Sequence, residues 1–313
     1  MVIVPILILL SCSASAESTA GQGLELPANE LVRHIVANEL KAEQQDQSHW
    51  SFRLDILRPN RQREVDEVVD TEHGDLKRPL VINGRELTAE QQQKSDRQID
   101  QLVRNPGALR RSLIEKNQDE ARSQRLLKML PDAFYFNYGE RQGDLVQLNF
   151  APNPRFHPST HKAEVFHAMQ GSVWVSTKRS RVEEITGPLI REVKFAGGLL
   201  GHLNEGGTFD VKQAEVAPGY WELTLLKVQM KGKTLFFKMI AVQQNYSRSD
   251  FRPVPDNLTL AQAADILRHS SAATRPTVGG SRVGVRGHNN HADRCQCWIS
   301  LHGSPDPSTQ GVL

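Results

Sequence analysis

FDVKQAEVAPGYWELTLLKVQM, residues 209 to 230, parts at Pro218-Gly219 into two runs rich in β-branched and aromatic residues. Each run has strand length, and Pro-Gly is a turn signal, so the pair reads as two neighbouring antiparallel strands, Phe209 to Val216 and Tyr220 to Met230. The same character holds from Ala133 onward. Phe134 to Tyr138, Leu145 to Phe150, Val173 to Ser176, Val182 to Thr186, Leu189 to Phe195 and Leu235 to Gln243 all read as strands. Gln142-Gly143-Asp144, Gly187-Pro188, Gly206-Gly207 and Lys231-Gly232-Lys233 punctuate them. Strands at hairpin spacing predict an antiparallel meander.

Upstream the periodicity changes. From Pro27 to about Gln45, Leu31, Val32, Ile35, Val36 and Leu40 recur at helical spacing, with Arg33, Glu39 and Lys41 expected to face away. Trp50 to Ile56 alternates apolar with polar residues, the period of a half-buried strand, and Arg61 to Val69 is expected to return beside it after Arg58-Pro59-Asn60. Asn83-Gly84 within Leu80 to Leu87 is a strong hairpin signal. Thr88-Ala89-Glu90-Gln91 is a capping box that opens a charged helix to about Arg104. Asn105-Pro106 then starts a second helix to about Leu130, with Leu109, Leu113, Leu127 and Leu130 on its buried side. That apolar stripe thins around Asn117 to Gln124. Residues 88–130 therefore read as a charged helical hairpin inserted in a sheet protein. Leu258 to His269 predicts a last short helix.

The 313 residues, 38% hydrophobic and 24% charged, suffice for a sizeable core. A formal charge of +2 gives no basic field for nucleic acid. Met1 to Leu10 is an uncharged apolar run followed by Ser11-Cys12-Ser13-Ala14-Ser15-Ala16, the layout of a secretory signal over residues 1–16. Ala14-Ser15-Ala16 fits a peptidase site, and Leu9-Leu10-Ser11-Cys12 a lipidation box at Cys12, although no Lys or Arg stands near Met1. The run is shorter than the roughly 20 residues of a membrane span. Export to the periplasm, or anchoring at the outer membrane, is the expectation. Cys295 and Cys297 are too close for an unstrained disulfide. Beyond Ser270, Gly and Pro dominate and few apolar residues remain, so residues 271–313 are expected to be disordered.

Candidate chemistry is sparse. His157, His161 and His167 lie near Glu164, but the spacing is not H-E-x-x-H and supplies no third ligand of known geometry. His288, His291, Cys295 and Cys297 are zinc-type ligands, but Cys-x-Cys is tighter than the usual spacing. Glu183 and Glu184 are adjacent in a strand, so they point apart and do not pair as acid and base. No nucleophile elbow, phosphate loop or dinucleotide fingerprint appears. The sequence implies no metal, no cofactor and no catalytic residue.

The remaining feature is apolar. Trp174, Phe195, Phe209, Trp221, Leu223, Leu225 and Phe237 sit on the late strands, either as ordinary core or as the lining of a cavity for an acyl chain. Three stretches also carry a resemblance: Gly84-Arg85-Glu86-Leu87-Thr88, the turn Leu130-Pro131-Asp132-Ala133-Phe134, and Phe195-Ala196-Gly197-Gly198-Leu199-Leu200. Over about Leu24 to Val254 the chain resembles bacterial outer-membrane lipoprotein-sorting proteins of the LolA/LolB and RseB superfamily. The resemblance implies an α+β fold, an unclosed half-barrel of antiparallel strands covered by helices, and it transfers no ligand residue. The helical insertion and the His- and Gly-rich tail depart from that pattern. Three functions follow as expectations: sheltering an acyl chain, lipid or lipoprotein; binding an envelope protein through the insertion at 88–130; or metal-dependent catalysis by His157, His161 and His167.

Overall fold

The computed structural model describes residues 26–58, 61–234 and 239–270, with the side chains of 234–243 outside that description. The export segment with Cys12, the side chain of Phe237 and the tail beyond Ser270 lie outside the described residues.

The fold is α+β around one open antiparallel sheet of 13 strands. The N-terminal strands are β1 (His49–Leu57), β2 (Arg63–Val69), β3 (Leu76–Ile82) and β4 (Arg85–Glu86). Asn83 and Gly84, with φ of 51° and 77°, make the left-handed two-residue turn that joins β3 to β4. The meander follows as β5 (Phe134–Gln142), β6 (Leu145–Pro152), β7 (Gly171–Ser176), β8 (Arg181–Pro188), the short pair β9 (Val193–Phe195) and β10 (Gly201–Leu203), β11 (Thr208–Ala217), β12 (Tyr220–Thr234) and β13 (Met239–Val254). The last strand runs past Gln243 to Val254, and its distal half pairs with β1. This joins the two halves in the order β4-β3-β2-β1-β13-β12-β11-β8-β7-β6-β5, with β10 beside β12.

Register makes the faces explicit. Tyr138, Leu148, Val173, Ile185, Val211, Leu226, Tyr246, Ile56, Glu64 and Ile82 form one cross-strand row over ten strands. Side chains alternate along a strand, so this row defines an inner face and its neighbours an outer one. The inner face carries most of the core. Leu148 and Leu223 are fully buried there, under Val32, Ile35 and Val36 of α1 (Ala28–Gln45) and Leu126, Leu127 and Leu130 of α3 (Gly107–Ala133). The outer face of β2 and β3 is covered by α2 (Ala89–Arg104) and α4 (Leu260–His269), whose Ile99, Ala263 and Leu267 meet Val69 and Leu76. Both helices begin with the capping box that Thr88 and Thr259 supply.

The helices of the insertion separate. Leu109, near the start of α3, packs with Val69 and Leu76 on the outer side, whereas Leu126 to Leu130 join the inner core. α3 therefore passes around the sheet's end over the β2–β3 turn. Gly74 permits this: its φ is +111°, and a Cβ built there would sit 3.0 Å from the Leu109 carbonyl oxygen. The helix also continues through Pro131 into its last turn rather than stopping at Leu130. Asn29 closes that end, its Nδ2 donating to the Pro131 and Phe134 carbonyls at 2.9 Å each.

One expectation for α1 is overturned. Glu39, read as facing away, is buried at 8% exposure. Its Oε1 accepts from the Val182 N–H and from Gln213 Nε2, both at 2.7 Å, and its Oε2 pairs with Arg181 Nη2 at 2.9 Å. Burial pushes its pKa up, against the pull of Arg181 and the hydrogen bonds.

Glu39→Ala is expected to cost about 3–5 kcal/mol in urea unfolding, because it strands Arg181 as a buried unpaired charge. Gly74→Val is expected to lose about 1–3 kcal/mol, since it combines a left-handed φ with a clash against α3; a midpoint unchanged by that substitution would argue against the close crossing.

Candidate functional site

The thin stripe of α3 has a structural reason. Between Leu109 and Ser123 the helix rests on no apolar core and instead roofs a cavity of about 830 Å³. The floor is formed by Trp50 and Phe52 of β1, Glu222 of β12 and Arg248 of β13. The C-terminal end of α1 contributes Glu43, Asp46 and Gln47, and the β2–β3 turn contributes Asp70, Thr71, Glu72 and Asp75. α3 lowers Ser112, Leu113, Glu115, Lys116, Asn117, Asp119 and Glu120 from above. Leu113, expected in the core, is half-buried at this rim.

The lining is strongly acidic. Ten carboxylates (Glu43, Asp46, Asp70, Glu72, Asp75, Glu115, Asp119, Glu120, Glu222 and Asp256) face Lys77, Lys116, Arg248 and His49. Lys116 ties the roof to the turn, with its Nζ 3.5 Å from Asp70 Oδ1 and 3.4 Å from Asp75 Oδ1. Burial acts against the Lys116 charge, but Asp75, Asp70 and Glu120 more than offset it and raise its pKa. Burial lifts Asp70 to about 6 despite Lys116, while Asp75 is held near 2 because Lys116 and Lys77 outweigh its own desolvation. Glu222 is pushed up to about 7 by burial, against Arg248 at 3.5 Å. Glu43 and Glu120 are raised by burial as well. The Arg248 guanidinium lies 5.0 Å from the centroid of the Phe52 ring, so the floor combines an aromatic surface with a fixed cation. Such a cavity can accept hydrogen-bond donors and positive charge, and within it Asp70 and Asp75 form a hydrogen-bonded carboxylate pair.

Of the described residues expected to line an acyl cavity, Phe195, Phe209 and Leu223 share the inner core, while Trp174 and Leu225 lie on the other face. Phe209 and Leu223 are buried in the inner core, and Trp221 lies beneath the Arg181 guanidinium at 5.2 Å. Trp174, Glu184, Lys212 and Leu225 form one row on the outer face. Leu223 and Leu225 would share a face in a regular strand, but Leu223 pairs with Gln213 and Leu225 with Lys212. The extra residue, Thr224, is a β-bulge that turns them apart. Phe195 is half-buried on β9, where it packs against the inner core and is not among the lining of the acidic cavity.

His161 Nδ1 contacts Glu164 Oε1 at 2.9 Å, and Glu164 Oε2 accepts from the Ala196 N–H at 3.2 Å. His167 lies against the Phe156 ring, its pKa lowered by burial and by Arg191. Among the described residues no three His, Cys, Asp or Glu side chains are grouped to hold a metal ion, and no helix is long and apolar enough to cross a membrane. No protein-family model, curated protein or solved structure matches the chain significantly. The class that the structure defines is an α+β protein with an open antiparallel sheet.

Acidification from pH 7 to pH 5 is expected to stabilise the protein. The folded state binds the Glu222 proton with a pKa of about 7, above the ordinary 4.5. The cost of keeping it ionised is therefore full above about 7 and relieved as the pH falls toward 4.5. The difference in urea stability between these pH values is expected to be on the order of 2 kcal/mol, and smaller in Glu222→Gln. Equal pH slopes in both proteins would remove Glu222 as the source.

Proposed function

We propose that this chain is a non-enzymatic protein of the bacterial envelope that binds a polypeptide partner in the cavity between α3 and the sheet. The observation that carries the proposal is the charge of that cavity, with ten carboxylates around Trp50 and Phe52. Concave surfaces of one sign focus field lines and concentrate ligands of the opposite sign. A segment bearing lysine or arginine would set its charges against Glu222, Glu43, Asp46 and Asp70 and its methylenes against the aromatic floor. Export, signalled by Met1 to Ala16, belongs to the same proposal.

A second reading keeps the acyl chain or lipoprotein as ligand. In its favour stands the open sheet with helices laid on one face, the layout that the resemblance implied. It requires α1 to lift, because Val32, Ile35 and Val36 occupy the apolar face where a chain would lie.

A tetralysine peptide titrated into the full chain and followed by calorimetry separates the two. Binding is expected, weakening as salt shortens the Debye length and falling by about tenfold in the double variant Asp46→Asn, Glu222→Gln. Deleting the insertion is unsuitable, since Leu126, Leu127 and Leu130 belong to the core. No peptide binding, together with a lipid found by native mass spectrometry of protein purified from a periplasm, would transfer the function to the acyl reading.

A further inference from the structure

β9 and β10 form a small hairpin that leaves the main path of the sheet. At its tip Ala196, Gly197 and Gly198 take φ of 51°, 67° and 97°, three consecutive left-handed residues. The turn is internally bonded: the Leu199 N–H donates to the Ala196 carbonyl and the Leu200 N–H to the Phe195 carbonyl, each at 3.2 Å. Glu164 holds it from behind through the Ala196 N–H. This ordered turn presents Leu199 and Leu200 to solvent at 68% and 46% exposure. Single exposed leucines are ordinary. Two adjacent ones held outward by a built turn form an apolar point.

Basic groups outnumber acidic ones on the strands around that point. Lys194, His202 and Lys233 stand opposite one another in a cross-strand row on the outer face. Lys227 and Lys231 extend it along β12, because residues two apart share a face there. Cross-strand neighbours of like charge repel, so the row lacks a reason within the fold itself. The acids nearby are few: Glu192 pairs with Lys194 at 3.5 Å, Asp210 stands opposite Lys227, and Glu205 lies in the β10–β11 loop. Among the described residues no carboxylate reaches Lys231 or Lys233.

We infer that the β9–β10 hairpin and the basic row of β12 are a docking surface for an anionic lipid bilayer, with Leu199 and Leu200 entering the interface and Lys194, Lys231 and Lys233 resting on the headgroups. Apolar side chains at a tip flanked by lysines are the two elements that peripheral membrane binding combines. The surface is separate from the acidic cavity, whose sign would be repelled by the same bilayer.

The test is co-sedimentation of the full chain with vesicles of phosphatidylglycerol and phosphatidylcholine, against phosphatidylcholine alone, with amide exchange read across residues 195–201. Binding to the anionic vesicles is expected, with exchange slowed at the tip. Leu199→Ser with Leu200→Ser should weaken partitioning by more than about tenfold. Lys231→Ala and Lys233→Ala should weaken it by about fivefold each and only at low salt. Both pairs of residues are exposed, so thermal melting should be unchanged. Partitioning as tight in the leucine variant as in the original chain would assign binding to another segment, such as Met1 to Leu10, and overturn the inference. A dimer in sedimentation without vesicles that the leucine substitutions dissolve would overturn it too, since a second copy would then cover the point.

Discussion

Removing the Glu39 carboxylate from water costs several kcal/mol, a cost offset only where Arg181, Gln213 and the Val182 N–H converge on it at 2.7 to 2.9 Å. That convergence exists in one position of α1 on the sheet. Sliding the helix by a turn would leave a carboxylate, a guanidinium and an amide unsatisfied together. The apolar contacts of Val32, Ile35 and Val36 hold α1 down, and Glu39 selects where it lies. Glu43, one turn further along the same side, and Asp46 at the helix end are thereby brought to the rim of the acidic cavity. The ion pair that looks like a core detail thus sets the geometry of the candidate site.

The roof of that site follows a different logic. α3 begins among the apolar residues of the outer face, crosses the β2–β3 turn at Gly74 and ends in the inner core. Its middle third therefore hangs between two anchors, and it can be polar without unfolding the helix. Burial raises Glu222, Asp70, Glu43 and Glu120, with neighbouring carboxylates adding to it, a cost that the hydrophobic anchors must outweigh. Lys116 relieves part of it by pairing with Asp70 and Asp75. The basic row of the outer face carries the opposite sign, so a single chain of nearly neutral net charge has two poles.

Much of the fold was legible from local pattern. The Pro218-Gly219 break, the Asn83-Gly84 turn and the Thr88 cap each concern backbone groups within a few residues, and all appear where the sequence puts them. The far half of β13 was not legible, because Gln243 to Arg252 is polar and its strand state comes from pairing with β1. The opposite faces of Leu223 and Leu225 were not legible either, since nothing local announces the bulge at Thr224. For the cavity the one sequence signal was the gap in the α3 stripe between Asn117 and Gln124, which marks a missing apolar neighbour without naming what replaces it.

The sequence alone determined the α+β class, the antiparallel meander and the capped start of α2, because alternation, helical spacing and capping are short-range chemistry. Tertiary structure decided that Glu39 is buried, that α3 wraps from one face to the other, and that ten carboxylates scattered from Glu43 to Asp256 face one space. The physical reason is common to all three. Burial and electrostatics depend on which distant segments are adjacent, and adjacency is fixed by the pairing of β13 with β1 that joins the N-terminal strands to the meander in one sheet.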